Sequence, residues 1–300
     1  MNETLAHHGY EVDYCENLSL SDLPSVIADY QGIIINSKII LSRALIDKAV
    51  RLTWVARLGS GMEIIDVPYC KKKKIKVVNA PEGNAHAVAE HEIGMLLSLF
   101  NHLTRCDREV REGIWNREKN RGTELRGKTL GIIGLGHTGS ALAEKLSSWG
   151  LSVYSYDKYR KRYPASLRFV HKVELEEVKR KADILSFHIP LTAETRHMID
   201  DAFLAGCKQG VIISNTSRGK ICKTEALIRA LESGKVGGAC LDVFENEKPE
   251  TYTMEEKVLY SRLFERDDVV LSPHVAGWTR ESLYEISAVI LRKLGFQPSF

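Results

Sequence analysis

Thr129-Leu130-Gly131-Ile132-Ile133-Gly134-Leu135-Gly136-His137-Thr138-Gly139 is the stretch on which the fold turns. The apolar run Thr129 to Ile133 is strand-sized and leads directly into G-x-G-x-x-G, after which Ser140 to Ser148 has helix-forming composition. Each glycine has a task in that context. Gly134 makes the strand-to-helix turn, Gly136 lets backbone approach a pyrophosphate, and Gly139 allows the helix to pack on the strand. The first amides of the helix then face the anion. Asp157, 23 positions beyond Gly134, ends the next apolar run. A carboxylate there can accept hydrogen bonds from an adenosine ribose and repel a 2′-phosphate. The motif therefore predicts a dinucleotide site, and Asp157 favours NAD over NADP even with Lys158, Arg160 and Arg162 beside it.

Outward from this stretch, short apolar runs alternate with longer amphipathic ones, the pattern of parallel strands joined by helices. Runs at Leu130 to Ile133, Leu151 to Tyr156, Ile184 to His188, Val211 to Asn215, Gly238 to Leu241 and Val269 to Ser272 predict a Rossmann-type doubly wound parallel sheet. Before it, strands are expected at Glu11 to Tyr14, Gly32 to Ile35, Thr53 to Arg57 and Ile75 to Val78, with helices over Ser21 to Ala28 and Arg43 to Ala49. These make a smaller α/β unit. His86 to Leu103 contains no proline and reads as one long helix leading from the first unit into the second, with the boundary near Pro81 to Ala85.

Composition removes several classes. With 300 residues, 44% of them hydrophobic, and 8 prolines, the chain can bury enough apolar surface to fold. A net charge of +3 supplies no field to gather nucleic acid or an anionic membrane. No apolar run approaches a bilayer span, and the N-terminus has no signal core, so a cytoplasmic location is expected. The six cysteines form no C-x-x-C pair and read as reduced thiols. No metal site is expected: His91-Glu92 begins H-E-x-x-H, but Met95 stands at the fifth position. Lys71 to Lys74 reads as a solvated helix end or loop, His7 and His8 as exposed, and Trp54 and Trp149 as core.

Open α/β sheets bind ligands beyond the carboxyl ends of their strands. Arg218, Glu247 and His274 follow three such ends. Oxidising a 2-hydroxy acid needs a hydride acceptor, a base for the hydroxyl proton and a cation for the carboxylate. Arg218 offers a forked, permanent charge. His274 can shuttle a proton near neutrality, and Glu247 would orient its ring and favour the imidazolium.

Motifs along nearly the whole chain make it resemble the D-isomer-specific 2-hydroxyacid dehydrogenases. They are Ala56-Arg57-Leu58-Gly59-Ser60-Gly61, Val78-Asn79-Ala80-Pro81-Glu82-Gly83-Asn84, Gly127 to Gly136, His188-Ile189-Pro190-Leu191-Thr192, Asn215-Thr216-Ser217-Arg218-Gly219, Leu241 to Glu247, and Ser272-Pro273-His274. The resemblance implies that Arg218, Glu247 and His274 are the catalytic trio. It implies cofactor contacts from Gly134, Leu135, Gly136 and Gly139, from His137 and Thr138 at the pyrophosphate, Asp157 at the ribose, Ile189 and Pro190 by the adenosine half, and Thr216 and Asp242 near the nicotinamide, and also from His188, Ser217 and Gly277. Ser60 and Gly61 match the loop that holds the substrate carboxylate, and Arg57 and Lys38 are the remaining cations for a substrate phosphate.

The resemblance further implies a flavodoxin-like substrate domain discontinuous in sequence, over residues 1–82 and 277–300, around a cofactor domain over 83–276. Glu281 to Phe300 would return as a helix through the apolar pattern Leu283, Ile286, Val289, Ile290 and Leu294. The start would lack the family's first strand, and no serine-sensing regulatory domain would follow Phe300. A homodimer through the cofactor domain is implied as well. The implied reaction converts D-3-phosphoglycerate to 3-phosphohydroxypyruvate. The alternatives are a glyoxylate or hydroxypyruvate reductase and an NAD-sensing corepressor-like binding protein. Three departures bear on the substrate: Asn36 stands where an arginine is usual, Lys248 separates Glu247 from Pro249, and Trp278 replaces a small residue.

Overall fold

A computed structural model describes residues 1–15 and 17–297. The chain forms two compact units, one of Met1–Asn84 with Trp278–Phe300 and the other Ala85–Gly277. The last three residues of the expected helix Glu281 to Phe300 lie outside the described residues.

The first unit is built on a parallel sheet of β1 (Gly32–Ile35), β2 (Trp54–Arg57) and β3 (Lys76–Asn79) in that order. Alternation along β2 separates its faces. Val55 joins Ile27, Ile35, Leu41, Ile46, Ile65 and Cys70 on one side, while Trp54 and Ala56 join Val78, Ile286, Val289 and Ile290 on the other. The latter three residues sit on the helix Arg280–Leu294, which starts in a Thr279/Ser282 capping box and stops at Gly295 with φ +100°. Leu283, expected on its apolar stripe, is 45% exposed. Gly83 lets this helix approach: a β-carbon there would lie 2.6 Å from the Ile286 backbone. The strand expected at Glu11 to Tyr14 does not form. These residues have no ladder partner, and a segment with Val12 as its one aliphatic residue buries too little to hold an edge; the chain instead begins with a helix, Asn2–His7.

The second unit holds a seven-stranded parallel sheet: β4 (Thr129–Ile133), β5 (Ser152–Tyr156), β6 (His171–Lys172), β7 (Ile184–Phe187), β8 (Val211–Asn215), β9 (Val236–Leu241) and β10 (Val269–Leu271). Their spatial order is β10-β9-β8-β7-β4-β5-β6, so the direction of winding reverses between β4 and β7. This doubly wound order places its switch point beside the glycine loop. β7 is buried along its whole length and β4 along all but its first residue, as sheets covered by helices on both faces require. One core gathers Phe187, Ile213, Leu227 and Leu263, the other Leu96, Leu130, Leu142 and Ile184.

The helix expected over His86 to Leu103 is Ala85–Phe100. His102 turns into the left-handed region at φ +54°, which interrupts the i to i−4 ladder, and a separate helix runs Leu103–Arg111. The helix after the glycine loop starts three residues earlier than its composition suggested, at His137, and ends at Leu146. Trp149, read from sequence as core, follows it in a turn and is 37% exposed, because the buried stripe ends at Leu146. Among the described residues no helix is long and apolar enough to cross a membrane, and Cys15, Cys70, Cys106, Cys207, Cys222 and Cys240 are all free.

Candidate active site

Strand register aligns the carboxyl ends of the large sheet. Ile133 pairs with Tyr156 and Phe187, Phe187 with Asn215, Asn215 with Leu241, and Leu241 with Leu271. The residues one step further along, Asp157, Gly134, His188, Thr216, Asp242 and Ser272, therefore form a row at the edge where such sheets bind ligands. Five of these six are expected cofactor residues.

The glycine loop has the shape its sequence requires. Gly134 has φ +92°, and a β-carbon on it would lie 2.5 Å from the His188 carbonyl oxygen; one on Gly139 would lie 2.3 Å from the Gly134 oxygen. A β-carbon on Gly136 would meet nothing within 4 Å, so the backbone there is open to an approaching group. Gly136 is also the N-cap of His137–Leu146, and it has no side chain to satisfy the first amides. An open glycine at the start of a helix without a side-chain cap fits a dinucleotide pyrophosphate.

Asp157 is engaged in holding this loop. Its Oδ2 accepts from the Leu135 amide (2.8 Å), and its Oδ1 accepts from the amides of Tyr159 (2.9 Å) and Arg160 (2.8 Å). Each carboxylate oxygen has two lone pairs, so acceptor capacity remains for a ribose. Arg160 folds back over the same loop, with Nη1 donating to the Leu135 carbonyl and, at 2.9 Å, to Ser140 Oγ.

Three expected cofactor residues, Thr216, His188 and Asp242, turn their side chains inward. Thr216 Oγ1 donates to buried Glu92. The His188 side chain is 2% exposed; its Nε2 lies 2.7 Å from Ser186 Oγ and 3.5 Å from Glu92 Oε2. Burial pushes its imidazole below the ordinary range, against the pull of Glu92. His188 can therefore offer a cofactor its main chain, not its ring. The Asp242 side chain is 1% exposed and accepts from Ser272 Oγ (2.5 Å), the Val275 amide (2.9 Å) and the Ala276 amide (2.9 Å). Asp242 thus organises the chain around His274.

Two of the three candidate catalytic side chains are in direct contact, and the charge of the third, Arg218, acts on both. His274 Nδ1 lies 2.8 Å from Glu247 Oε2, and both side chains are partly exposed. The hydrogen bond that Glu247 accepts from His274 raises the His274 pKa above the ordinary imidazole value; burial and the Arg218 charge oppose it, while the charges of Glu247 and Asp242 assist. Burial pushes Glu247 up, but the hydrogen bond and charge of His274, the Phe244 amide and the Arg218 charge together leave it below its usual range. Arg218 follows β8 in a turn shaped by buried Asn215, whose Oδ1 accepts from the Ser217 amide (3.1 Å) and hydroxyl (2.8 Å), and whose Nδ2 donates to the Arg218 carbonyl (3.0 Å). Gly219 seats that turn against the Phe244 carbonyl, where a β-carbon would overlap, and this draws Arg218 toward the Glu247 segment.

In the first unit, Ser60 Oγ donates to Asn84 Oδ1 (3.1 Å), and Asn79 Nδ2 donates to the Ser60 carbonyl (2.6 Å), fixing the loop that continues into Gly61. Arg57 Nη1 donates to the Leu58 carbonyl, and Asn36 Oδ1 accepts from the exposed Lys38's own amide at 2.9 Å.

Sequence reasoning missed Glu92. It is fully buried, and its carboxylate accepts from Ser186 Oγ (2.5 Å) and Thr216 Oγ1 (3.2 Å). Its signal was present: Ala85, Val88, Ala89, Glu92, Met95, Leu96 and Leu99 are one buried stripe at helical spacing, and an acid in such a stripe needs buried donors. No group of three or more metal-ligating side chains exists among the described residues. Burial pushes the Cys207 thiol up to about 11 and raises Cys222 and Cys240, so these are not nucleophiles at neutral pH.

Residues 93–276 match the D-isomer specific 2-hydroxyacid dehydrogenase family, NAD binding domain. The chain is 35% identical over 279 residues to the hydroxypyruvate reductase of Thermotoga maritima, covering 93% of this chain and 88% of that protein. It is 34% identical over 283 residues to the D-3-phosphoglycerate dehydrogenase of Archaeoglobus fulgidus, covering 94% of this chain and 52% of the relative, so it spans about half of that protein's length. The solved structure of an Aquifex aeolicus D-lactate dehydrogenase complexed with NAD and lactic acid superposes with a TM-score of 0.82 at 29% identity, covering 99% of this chain and 96% of that one. The chain belongs to the D-isomer-specific 2-hydroxyacid dehydrogenase family, NAD-dependent oxidoreductases that act on CH–OH groups.

Proposed function

We propose that the chain interconverts a D-2-hydroxy acid and its 2-oxo acid, with His274, Glu247 and Arg218 as the catalytic residues. The observation that carries this reading is the 2.8 Å contact between His274 Nδ1 and Glu247 beside the Arg218 charge. NAD, held by the Gly134 to Gly139 loop and Asp157, supplies the hydride acceptor or donor when bound. With Nδ1 committed to Glu247, Nε2 is the nitrogen that meets the substrate hydroxyl. It takes that proton during oxidation and returns it during reduction. Arg218 binds the substrate carboxylate and polarises the adjacent oxygen.

The pair sets a pH dependence. A raised His274 pKa keeps the ring protonated to higher pH, so reduction of the 2-oxo acid persists until pH rises through that value, and oxidation begins only above it. Glu247→Gln removes the charge and moves both limbs to lower pH. Profiles of kcat/KM against pH measure this, and limbs that stay in place refute the pairing. The same pair stabilises the fold most between the carboxylate and imidazole ranges. The His274 share is lost as pH rises through its raised folded value, and the Glu247 share as pH falls through its lowered one.

For the substrate we infer D-3-phosphoglycerate and 3-phosphohydroxypyruvate, the pair implied by the motifs, with Arg57 and Lys38 as phosphate ligands. A second reading, reduction of hydroxypyruvate or glyoxylate, is favoured by Arg57's bond to the Leu58 carbonyl and by the relative of which this chain covers 88%. NADH oxidation with phosphohydroxypyruvate, hydroxypyruvate, glyoxylate and pyruvate distinguishes them. A preference of at least tenfold for the phosphorylated acid is expected, and equal or better turnover of hydroxypyruvate selects the second reading. No turnover of any of them overturns the enzymatic assignment in favour of an NAD-responsive binding protein.

The proposal extends to a homodimer through the cofactor domain. The helix Leu103–Arg111 buries none of its residues, and Leu103 and Val110 on it and Ile114 and Trp115 just beyond are large apolar side chains left exposed. Light scattering of the purified chain is expected to give twice the monomer mass; a monomer at micromolar concentration refutes the dimer.

A further inference from the structure

His91 and Glu92 open a metal motif that Met95 breaks, and the proton transfer proposed above uses neither. Their helix, Ala85–Phe100, nevertheless carries His91 to the loop that holds the candidate proton carrier. His91 Nε2 lies 2.8 Å from Ser272 Oγ and 3.7 Å from Asp242 Oδ1. Ser272 Oγ in turn donates to Asp242 Oδ1 at 2.5 Å. We propose that His91 is a positioning residue for His274, acting through the Ser272 hydroxyl on the Asp242 carboxylate that shapes the His274 loop. This rests on the reading of His274 as the catalytic acid and base.

Hydrogen-bond accounting fixes the direction. A serine hydroxyl has one proton, and a carboxylate oxygen 2.5 Å away is its strongest acceptor. If that proton went to His91 instead, the Ser272 and Asp242 oxygens would face each other with lone pairs only. The Ser272 oxygen must therefore accept from His91, which keeps a proton on Nε2. The weak alternative for the hydroxyl is the Met95 sulfur at 3.8 Å, and a donor from His91 holds the hydroxyl away from it.

The loop needs such a brace. His274 has φ +57°, a left-handed conformation that a histidine keeps only where its surroundings over-determine it. Glu247 holds the ring, and the contacts that hold the backbone lead to Asp242. Its carbonyl accepts from the His274 amide (2.7 Å), and its carboxylate accepts from the Val275 and Ala276 amides and the Ser272 hydroxyl. Contacts at positions 272, 275 and 276 thus bracket position 274. His91 is the donor that reaches this bracket from the helix, and losing it leaves one of the four bonds free to rotate toward the Met95 sulfur.

The test compares His91→Leu, Ser272→Ala and His91→Gln, the last retaining an amide donor near the Nε2 position. His91→Leu and Ser272→Ala are expected to lower kcat about tenfold, with NADH affinity within about twofold of wild type. His91→Gln is expected to recover kcat to within about threefold. The double variant His91→Leu/Ser272→Ala should be no worse than the poorer single variant, since both break one chain of contacts. A second readout needs neither cofactor nor turnover: the NMR titration midpoint of His274, whose ring contacts Glu247 and is acted on by the charges of Glu247, Asp242 and Arg218. It should fall by about half a unit or more in His91→Leu and Ser272→Ala and stay in place in His91→Gln.

Unchanged kcat and midpoint in His91→Leu overturn the inference, as does a His91→Gln variant as impaired as His91→Leu. Should His91→Leu fail to fold, Ser272→Ala, which deletes a single oxygen, decides by the same criteria. If wild type turns over no 2-oxo acid, the functional reading fails, while the titration still decides the brace.

Discussion

Replacing His274 by alanine is expected to lower kcat by about 10² to 10⁴, the range that a positioned general acid and base contributes. The expectation follows from how the ring is committed. Nδ1 faces Glu247 at 2.8 Å, so a single nitrogen remains for the substrate, and its pKa is held above the ordinary value by that contact. Alanine removes the proton carrier and leaves the glycine loop, Asp157 and the strand ends untouched. NADH affinity, measured by fluorescence, should therefore stay within a few fold of wild type. A variant with both kcat and affinity reduced would indicate that alanine collapsed the left-handed backbone at this position. His274→Asn guards against that, because asparagine tolerates φ +57° while being unable to carry a proton near neutrality. Wild-type turnover in either variant rejects the assignment.

The route from sequence to this site was direct where each strand announced its own end. In β4, β7, β8, β9 and β10 the apolar run stops at a glycine or polar residue, and register then places those residues in one row, so reading strand ends gave the row along which the candidate site is built. What stayed hidden depended on contacts distant in sequence. Asp242 and His188 sit at positions matching cofactor residues, yet both side chains turn inward, because Ser272, Val275 and Ala276 offer donors to one and Ser186 and Glu92 surround the other. No local pattern states which way a strand-end side chain turns. β6 escaped notice since two residues, His171 and Lys172, carry no apolar run, and its register comes from β5 alone. The supposed strand at Glu11 to Tyr14 shows the converse: suitable residue types without a partner strand make no ladder.

Arg218→Lys is the second large effect, with kcat/KM expected to fall about tenfold to a hundredfold, because charge is conserved and geometry is lost. Hydrogen bonds to charged groups contribute roughly 1.5–3 kcal/mol each, and removing one arm of a bidentate contact forfeits about that much. The Arg218 fork is placed from both sides. Nη1 donates to the Ser217 carbonyl at 2.7 Å, the Asn215 side chain holds the Arg218 carbonyl, and Gly219 presses the turn onto Phe244. A lysine on the same backbone presents one ammonium on a flexible stem, which can bind a carboxylate but cannot grip both oxygens in plane. Its charge still acts on Glu247 and His274, so the pH limbs of the reaction should stay near their wild-type positions while the rate falls. That combination separates the roles. Arg218→Met removes the charge as well, and should both deepen the loss and move the His274 limb to higher pH, since the Arg218 charge lowers the imidazole pKa. Steady-state kinetics across pH on the two variants measure both effects. Wild-type kcat/KM in Arg218→Lys rejects the bidentate role, and an unmoved limb in Arg218→Met rejects the electrostatic coupling.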